Sequence, residues 1–203
     1  MNTLSLNDLE TLYRPTAQTA KDKVLDHVDR HGRAFIARSP FCVIAAAGVG
    51  GSMDVSPRGG TPGFVHVSED GLTLMLPDRP GNNRLDTIRN LLSGDGAVGL
   101  MFMIPGFDDI YRVNGRASAT ADAAVLAGFT EFDRPPRLVL MIAVEEAFLH
   151  CPKAMMRARL WDEDARVDRS VMPSGAEMVF DQLGLGAPTM SEADLRVQFR
   201  QQF

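Results

Sequence analysis

The sequence predicts a mainly β protein, a closed antiparallel barrel with peripheral helices. Six or seven segments carry strand-like patterns of apolar residues, and hairpin turns join most of them. The helical patterns lie near the ends of the chain or as insertions, so the regular strand–helix alternation of a parallel sheet is missing. We expect N-terminal helices packed on the barrel over residues 1–38, a barrel domain over 39–160, and a polar, partly helical tail over 161–203.

The composition is that of an ordinary, mildly acidic protein. Its 203 residues are 45% hydrophobic and 23% charged, with a net charge of −5. This acidic balance argues against nucleic-acid binding, which needs a basic face. No apolar run approaches the roughly 20 residues that span a bilayer, and the first ten residues lack the apolar centre of a signal peptide. We therefore expect a cytoplasmic protein whose cysteines, Cys42 and Cys151, do not form a disulfide.

The first forty residues have helical patterns. A capping box at residues 5–8 predicts a short helix that ends near Pro15. A second helix is expected from about residue 19 to about residue 37, because apolar residues recur there at helical spacing. His27 and His31 are four residues apart on this helix, but no third ligand falls at a matching position, so we do not expect a metal site.

Seven segments have the patterns of β-strands, because their apolar residues form short runs or alternate with polar ones. They cover residues 41–47, 53–56, 64–67, 72–76, 97–104, 109–120 and 138–148. The glycines of residues 48–51 link the first two strands as a hairpin, and Asp70-Gly71 is a tight-turn signal before the fourth. The segment 97–104 is apolar on both faces, which predicts a central strand.

The strand predicted over residues 109–120 has one apolar face and one polar face. The polar face consists of Arg112, Asn114, Arg116 and Ser118. Such a face is either solvated or part of a pocket or subunit interface, and both interpretations stay open. A short helix over 121–129 precedes the last strand, and two more are expected in the tail, over 174–183 and 191–203.

The turn at residues 77–84 predicts a phosphate site. It lies between a strand and a helix expected from Asn82 or Asn83 to about Leu92, and it carries Arg79 and Arg84. The start of a helix offers unpaired N–H groups and the positive end of the helix dipole to an anion. The planar guanidinium of arginine suits phosphate oxygens. The alternative is that these arginines only cap the helix.

Four segments in this order carry a family resemblance. They are Asp54–Gly59, Pro77–Leu85, Arg112–Ala117 and Phe148–Ala154. Together they resemble the pyridoxamine 5'-phosphate oxidase-like, FMN-binding split-barrel proteins, in particular the branch of probable FMN-dependent enzymes. The similarity spans about residues 19–161. The chain lacks the Arg-x-His pair with which pyridoxamine 5'-phosphate oxidase itself holds its substrate. We therefore do not expect this protein to oxidise pyridoxamine 5'-phosphate.

The resemblance implies a homodimer of six-stranded antiparallel split β-barrels, with two FMN molecules in clefts at the subunit interface. It places the FMN phosphate at Arg79, Asn82, Asn83 and Arg84. It places the flavin ring and ribityl chain along Ser56, Arg58, Pro77 and Asp78. It also lines the cleft with Arg112 and Asn114, from either subunit. The implied phosphate turn is the one that the residues themselves predict.

The function implied by this resemblance is an FMN-dependent oxidoreductase acting on an unidentified small molecule. The chemistry belongs to the flavin, while the protein binds and orients it, so we name no catalytic side chain. Two alternatives keep the fold: a deazaflavin-dependent reductase, and a flavin- or haem-binding protein without turnover.

Overall fold

The computed structural model describes residues 3–131 and 134–202. Its strands are β1 (Phe41–Ala47), β2 (Met53–Gly59), β3 (His66–Val67), β4 (Thr73–Asp78), β5 (Ala97–Met103), β6 (Ile110–Thr120) and β7 (Leu138–His150). The helices are α1 (Leu6–Leu12), α2 (Gln18–Asp22), α3 (Arg30–Ile36), α4 (Asp86–Ser93), α5 (Ala123–Ala127), α6 (Lys153–Ala158), α7 (Gly175–Gln182) and α8 (Glu192–Arg200). The predicted mainly β architecture with peripheral helices is confirmed.

The strands form one antiparallel sheet in the order β2-β1-β5-β6-β7-β4-β3. The expectation of a closed barrel was therefore wrong, because hydrogen bonding among the described residues leaves the sheet open. The six strands implied by the resemblance are likewise corrected, because seven strands are present. The outer strands explain the open edges. At one end, β3 has only two residues and offers little backbone for a further strand, and β2 forms the other edge.

The sheet is nevertheless curved. Burial raises the pKa of Asp78 in β4, and the positive charges of Arg58 and Arg137 counteract part of that rise. Four strands lie between Arg58 in β2 and Asp78 in β4. In a flat sheet the two strands would be about 24 Å apart, too far for such an influence. Curvature therefore brings the end of β2 close to the end of β4.

The helix expected over residues 19–37 is broken into α2 and α3. Between them, Leu25 and Ala147 exchange two backbone hydrogen bonds of 3.1 and 2.8 Å. A continuous helix would use those backbone groups internally. The Asp29 carboxylate then starts α3 by accepting a 2.8 Å hydrogen bond from the Gly32 N–H. The chain between α2 and α3 is thus attached to β7 by a single antiparallel bridge at Leu25.

The core lies on the inner face of the curved sheet, where α3 and α4 also pack. Its fully buried members include Ile36, Ile44, Leu74, Leu100, Phe102, Val113 and Ile142. A shift in the β6–β7 register falls between Asn114 and Gly115. A Cβ atom at Gly115 would overlap the Ala143 carbonyl oxygen, so this irregularity requires glycine.

The tail contains both helices that the sequence predicts, α7 and α8. Capping serines, Ser174 and Ser191, begin them. No described residue beyond Met155 is buried. The Trp161 indole N–H donates a 2.7 Å hydrogen bond to the Phe107 carbonyl and so attaches the start of the tail to the β5–β6 turn. Among the described residues, none of the helices has the length and apolar character needed to cross a membrane.

Candidate functional site

A polar cluster around Arg58 lies on the inner face of edge strand β2. The Nη1 of Arg58 donates hydrogen bonds to the Ser56 hydroxyl and to the Pro57 carbonyl, the latter at 2.9 Å. Its Nη2 donates a hydrogen bond to the Thr87 hydroxyl at 3.2 Å. The Thr87 side chain, from the first turn of α4, is buried and donates in turn to an Asp54 carboxylate oxygen. Arg58 thereby links β2 to the start of α4.

Arg58 is half-buried, and no carboxylate of the described residues lies within ion-pair distance of its guanidinium. Of the five N–H donors of a guanidinium, three are used by the hydrogen bonds above. The Nε donor and one donor at Nη2 have no protein partner in the described ranges. A half-buried cation with two open donors is suited to bind an anionic group.

Arg79 is placed differently from Arg58. Its guanidinium donates hydrogen bonds to the Phe129 carbonyl at 2.7 Å, the Arg134 carbonyl at 3.0 Å and the Glu131 carboxylate at 3.0 Å. The Arg79 and Glu131 side chains are 23% and 14% exposed, respectively. This ion pair joins the β4–α4 turn to the chain that follows α5. Arg79 therefore supports the turn in this arrangement, and direct contact with a phosphate stays a prediction.

The turn after Arg79 exposes Asn82, Asn83 and Arg84. Asn83 and Leu85 have φ angles of 58° and 59°, a left-handed conformation that is costly for leucine. Because left-handed residues cannot continue a right-handed helix, α4 begins at Asp86, and the prediction of a start at Asn82 or Asn83 was wrong.

The N-terminus of α4 is open to a ligand. The N-cap residue, Leu85, provides no side-chain hydrogen bond to the helix. Arg84 pairs with Asp86 at 2.7 Å, but its side chain remains 76% exposed. The turn therefore offers amides, a guanidinium and helical N–H groups within a few residues of Thr87, which contacts Arg58. The two predicted parts of the site thus meet at the start of α4.

The remaining predicted residues of β4 contribute less surface. The Pro77 side chain is fully buried. Asp78 is half-buried, and burial is the largest cause of its raised pKa. These two residues end β4, and their burial fixes the point at which the turn begins.

Arg112 and Asn114 lie on the opposite face of the sheet from Arg58. Across the sheet, Arg112 is opposite Met101, Met101 is opposite Val43, and Val43 is opposite Pro57. Directly opposed residues share a face, while successive residues of a strand alternate. Arg58, the neighbour of Pro57, therefore points to the other side. A single protomer does not bring the two groups of predicted residues together.

The outer face that carries Arg112 and Asn114 is largely apolar and accessible. It is built from β2, β1, β5 and β6. Its exposed large side chains are Phe41, Met53, Val55 and Met101, of which Val55 is 67% exposed. Asn114 donates a 2.7 Å hydrogen bond to Glu146, and Arg112 lies over the Phe148 ring at 5.6 Å. A polar strip thus borders the apolar patch.

Sequence reasoning missed two members of the Arg58 cluster, Asp54 and Thr87. Strand alternation was a usable signal for Asp54, because residues 54, 56 and 58 must share one face. Thr87 had no comparable signal, since its position under β2 depends on how α4 packs. A separate cleft of about 500 Å³ between α3 and β3, lined by Arg33, Ile36, His66 and Met75 among others, contains none of the predicted residues.

Comparison with known proteins places this sheet and turn in a family. The family model for pyridoxamine 5'-phosphate oxidase matches residues 28–151, more than half of the chain. The chain belongs to the pyridoxamine 5'-phosphate oxidase family. This family assignment confirms the resemblance found in the sequence. A comparison with curated proteins gave no match.

Several solved structures are similar to this family member. HupZ from Group A Streptococcus is 16% identical, with a TM-score of 0.48, over 60% of this chain and 93% of that one. A pyridoxinephosphate oxidase family protein from Clostridium acetobutylicum is 14% identical, with a TM-score of 0.45, over 59% and 85% of the two chains. The heme storage protein HutZ from Vibrio cholerae is 14% identical, with a TM-score of 0.42, over 61% and 94%.

Proposed function

We propose that this protein is an FMN-dependent oxidoreductase that acts on a small molecule and binds its flavin at a homodimer interface. The observation that carries the proposal is Arg58, a half-buried guanidinium with two open donors and no paired carboxylate among the described residues. Such donors, which water otherwise solvates, favour an anionic ligand through charge-assisted hydrogen bonds. FMN has both a phosphate and a ring that becomes more negative on reduction.

The donors at the start of α4 fit the phosphate of FMN. Asn82, Asn83 and Arg84 are exposed there, and the helix start lacks a side-chain cap. Helix N-termini favour anions through their N–H groups and dipole. Arg79 holds the turn through Glu131 rather than facing open solvent. In this proposal Asn82, Asn83 and Arg84 hold the phosphate, while Arg79, Pro77 and Asp78 support the turn.

Arg58 and Ser56 then face the flavin ring. When bound, FMN supplies hydride transfer, and the protein supplies binding, orientation and electrostatics. The fixed positive charge of Arg58 stabilises negative charge that develops on the ring, because its donors are already oriented. Ser56 orients Arg58 by accepting one of its hydrogen bonds. No side chain is assigned to proton transfer.

A second copy of the chain completes the site in this proposal. The apolar outer face around Val55 and Met101 is the kind of surface that subunits bury against each other. Arg112 and Asn114 border that face, so packing of two copies would carry them toward the partner. The opposite orientation of Arg58 explains why one protomer alone leaves these residues apart.

An FMN titration tests the proposal. We expect the purified wild-type protein to give a two-band flavin spectrum and a melting temperature that rises with FMN concentration. Arg58→Met should weaken FMN binding by about tenfold or more, since charge-assisted hydrogen bonds are lost. Arg89→Met is the matched control, because Arg89 is an exposed arginine of α4, the helix that Arg58 contacts through Thr87. A wild-type protein indifferent to FMN would overturn the proposal, and parallel titrations with a deazaflavin and with haem would identify a different cofactor.

A further inference from the structure

We infer that Asp54 and Thr87 are positioning residues, which fix the Arg58 guanidinium for the anion that it binds. This inference rests on the proposed function, because the anion in question is FMN. The three side chains come from β2 and α4 and form one directed chain of hydrogen bonds, from Arg58 through Thr87 to Asp54.

The direction of the chain follows from the chemistry of its members. A hydroxyl has one donor, and a guanidinium has no acceptor. Arg58 must therefore donate to the Thr87 oxygen at 3.2 Å, and the Thr87 hydrogen is left for the Asp54 carboxylate. The carboxylate polarises the hydroxyl and makes its oxygen a better acceptor. Thr87 is 3% exposed, so water does not compete strongly for either bond.

The spacing along β2 explains why a third residue is needed. Asp54 and Arg58 are four residues apart on one face of the strand, a separation of about 13 Å between their Cα atoms. Thr87, in the first turn of α4, lies between their side-chain ends. Asp54 thus orients Arg58 without pairing with it directly. A direct pair would occupy the donors that the proposed ligand needs.

The arrangement also ties Arg58 to the phosphate turn. Thr87 follows Leu85, whose left-handed conformation ends the turn, by two residues. A shift of α4 would therefore move the phosphate donors and the Arg58 guanidinium together. The hydrogen-bond chain holds the phosphate donors and the Arg58 guanidinium in fixed relative positions. This matters because ligand binding weakens when donors must reorganise.

The competing explanation is that the chain only attaches α4 to the sheet. A matched control exists for this role, because the Ser52 hydroxyl contacts the Asn90 side-chain oxygen of α4 at 3.0 Å without touching Arg58. Ser52→Ala loses a contact between α4 and the β1–β2 hairpin. If attachment alone mattered, Ser52→Ala would weaken FMN binding in the same direction as a variant of Thr87.

The test compares FMN dissociation constants and bound-flavin absorbance spectra of full-length variants. Thr87→Val keeps the shape of the side chain and removes the hydroxyl, and we expect about tenfold weaker FMN binding with an altered spectrum. Thr87→Ser keeps the hydroxyl and should show wild-type FMN affinity and the wild-type bound-flavin spectrum. Asp54→Asn removes the charge and should weaken binding in the same direction. Ser52→Ala should bind FMN as the wild type does.

A double variant makes the test specific. If Thr87 acts through Arg58, Thr87→Val should not weaken FMN binding further in an Arg58→Met background. Additive losses, wild-type affinity of Thr87→Val, or an equal loss in Ser52→Ala would each overturn this inference while leaving the proposed function intact. A wild-type protein that does not bind FMN would overturn both.

Discussion

Arg79 should prove to be a structural residue more than a ligand residue. Arg79→Ala removes the ion pair with Glu131 and two hydrogen bonds to carbonyls, at distances of 2.7 to 3.0 Å. Breaking a buried pair costs about 3–5 kcal/mol, and the partial exposure of Arg79 reduces that cost to about 2–3 kcal/mol. For a chain of this length we expect the melting temperature to fall by about 5–10 °C.

The control for Arg79→Ala is Arg84→Ala, five residues along the same turn. Arg84 is highly exposed, so the loss of its pair with Asp86 should change stability by less than about 0.5 kcal/mol. Thermal and urea unfolding of both variants without added flavin provide the comparison. An equally small loss of stability in Arg79→Ala and Arg84→Ala would contradict a structural role of Arg79. Under the proposed function, FMN affinity should show the reverse order, with a loss in Arg84→Ala at temperatures where both variants are folded.

Three further predictions concern the core and the thiols. Tyr111→Phe should raise the free energy of unfolding by about 1 kcal/mol, because the buried Tyr111 hydroxyl has no partner among the described residues. Burial raises the pKa of Tyr111 to about 12, whereas the unfolded chain releases this proton near pH 10. The free energy of unfolding of the wild type should therefore fall between pH 10 and 12, and Tyr111→Phe should not show this fall. Gly32→Ala should cost about 1–3 kcal/mol in urea unfolding, since its Cβ would overlap the Tyr111 hydroxyl, whereas Gly81→Ala points into open space and should be nearly neutral. Burial raises the pKa of Cys42 to about 12 while Cys151 is exposed, so a thiol reagent at pH 8 should modify Cys151 alone until the protein unfolds, and rapid reaction of both would contradict this.

The strands were largely predictable from the sequence because their signals are local. The apolar run 41–47 coincides with β1, and the alternation over 109–120 matches β6, Ile110–Thr120. The same alternation placed Arg112 and Asn114 on one face. The phosphate turn was also visible, since proline, glycine and arginine lie together between a strand and a helix.

What could not be predicted depends on contacts distant in sequence. The break between α2 and α3 comes from Leu25 pairing with Ala147, far along the chain. Arg79 and Arg84 lie in the same turn, and the long-range partner of Arg79, Glu131, makes their environments different. The openness of the sheet likewise depends on which strands form its edges. Local patterns locate elements, whereas packing decides which side chains remain free.

The most direct test of the proposed interface site is a heterodimer made from two defective chains. Arg58→Met and Arg112→Met chains with different tags are co-expressed, and the mixed dimer is isolated. If each site combines Arg58 of one copy with Arg112 of the other, both variant homodimers should bind FMN poorly. The mixed dimer should then recover one intact site, about half of the wild-type flavin content. A mixed dimer without flavin, beside a fully loaded wild-type protein, would contradict the shared site.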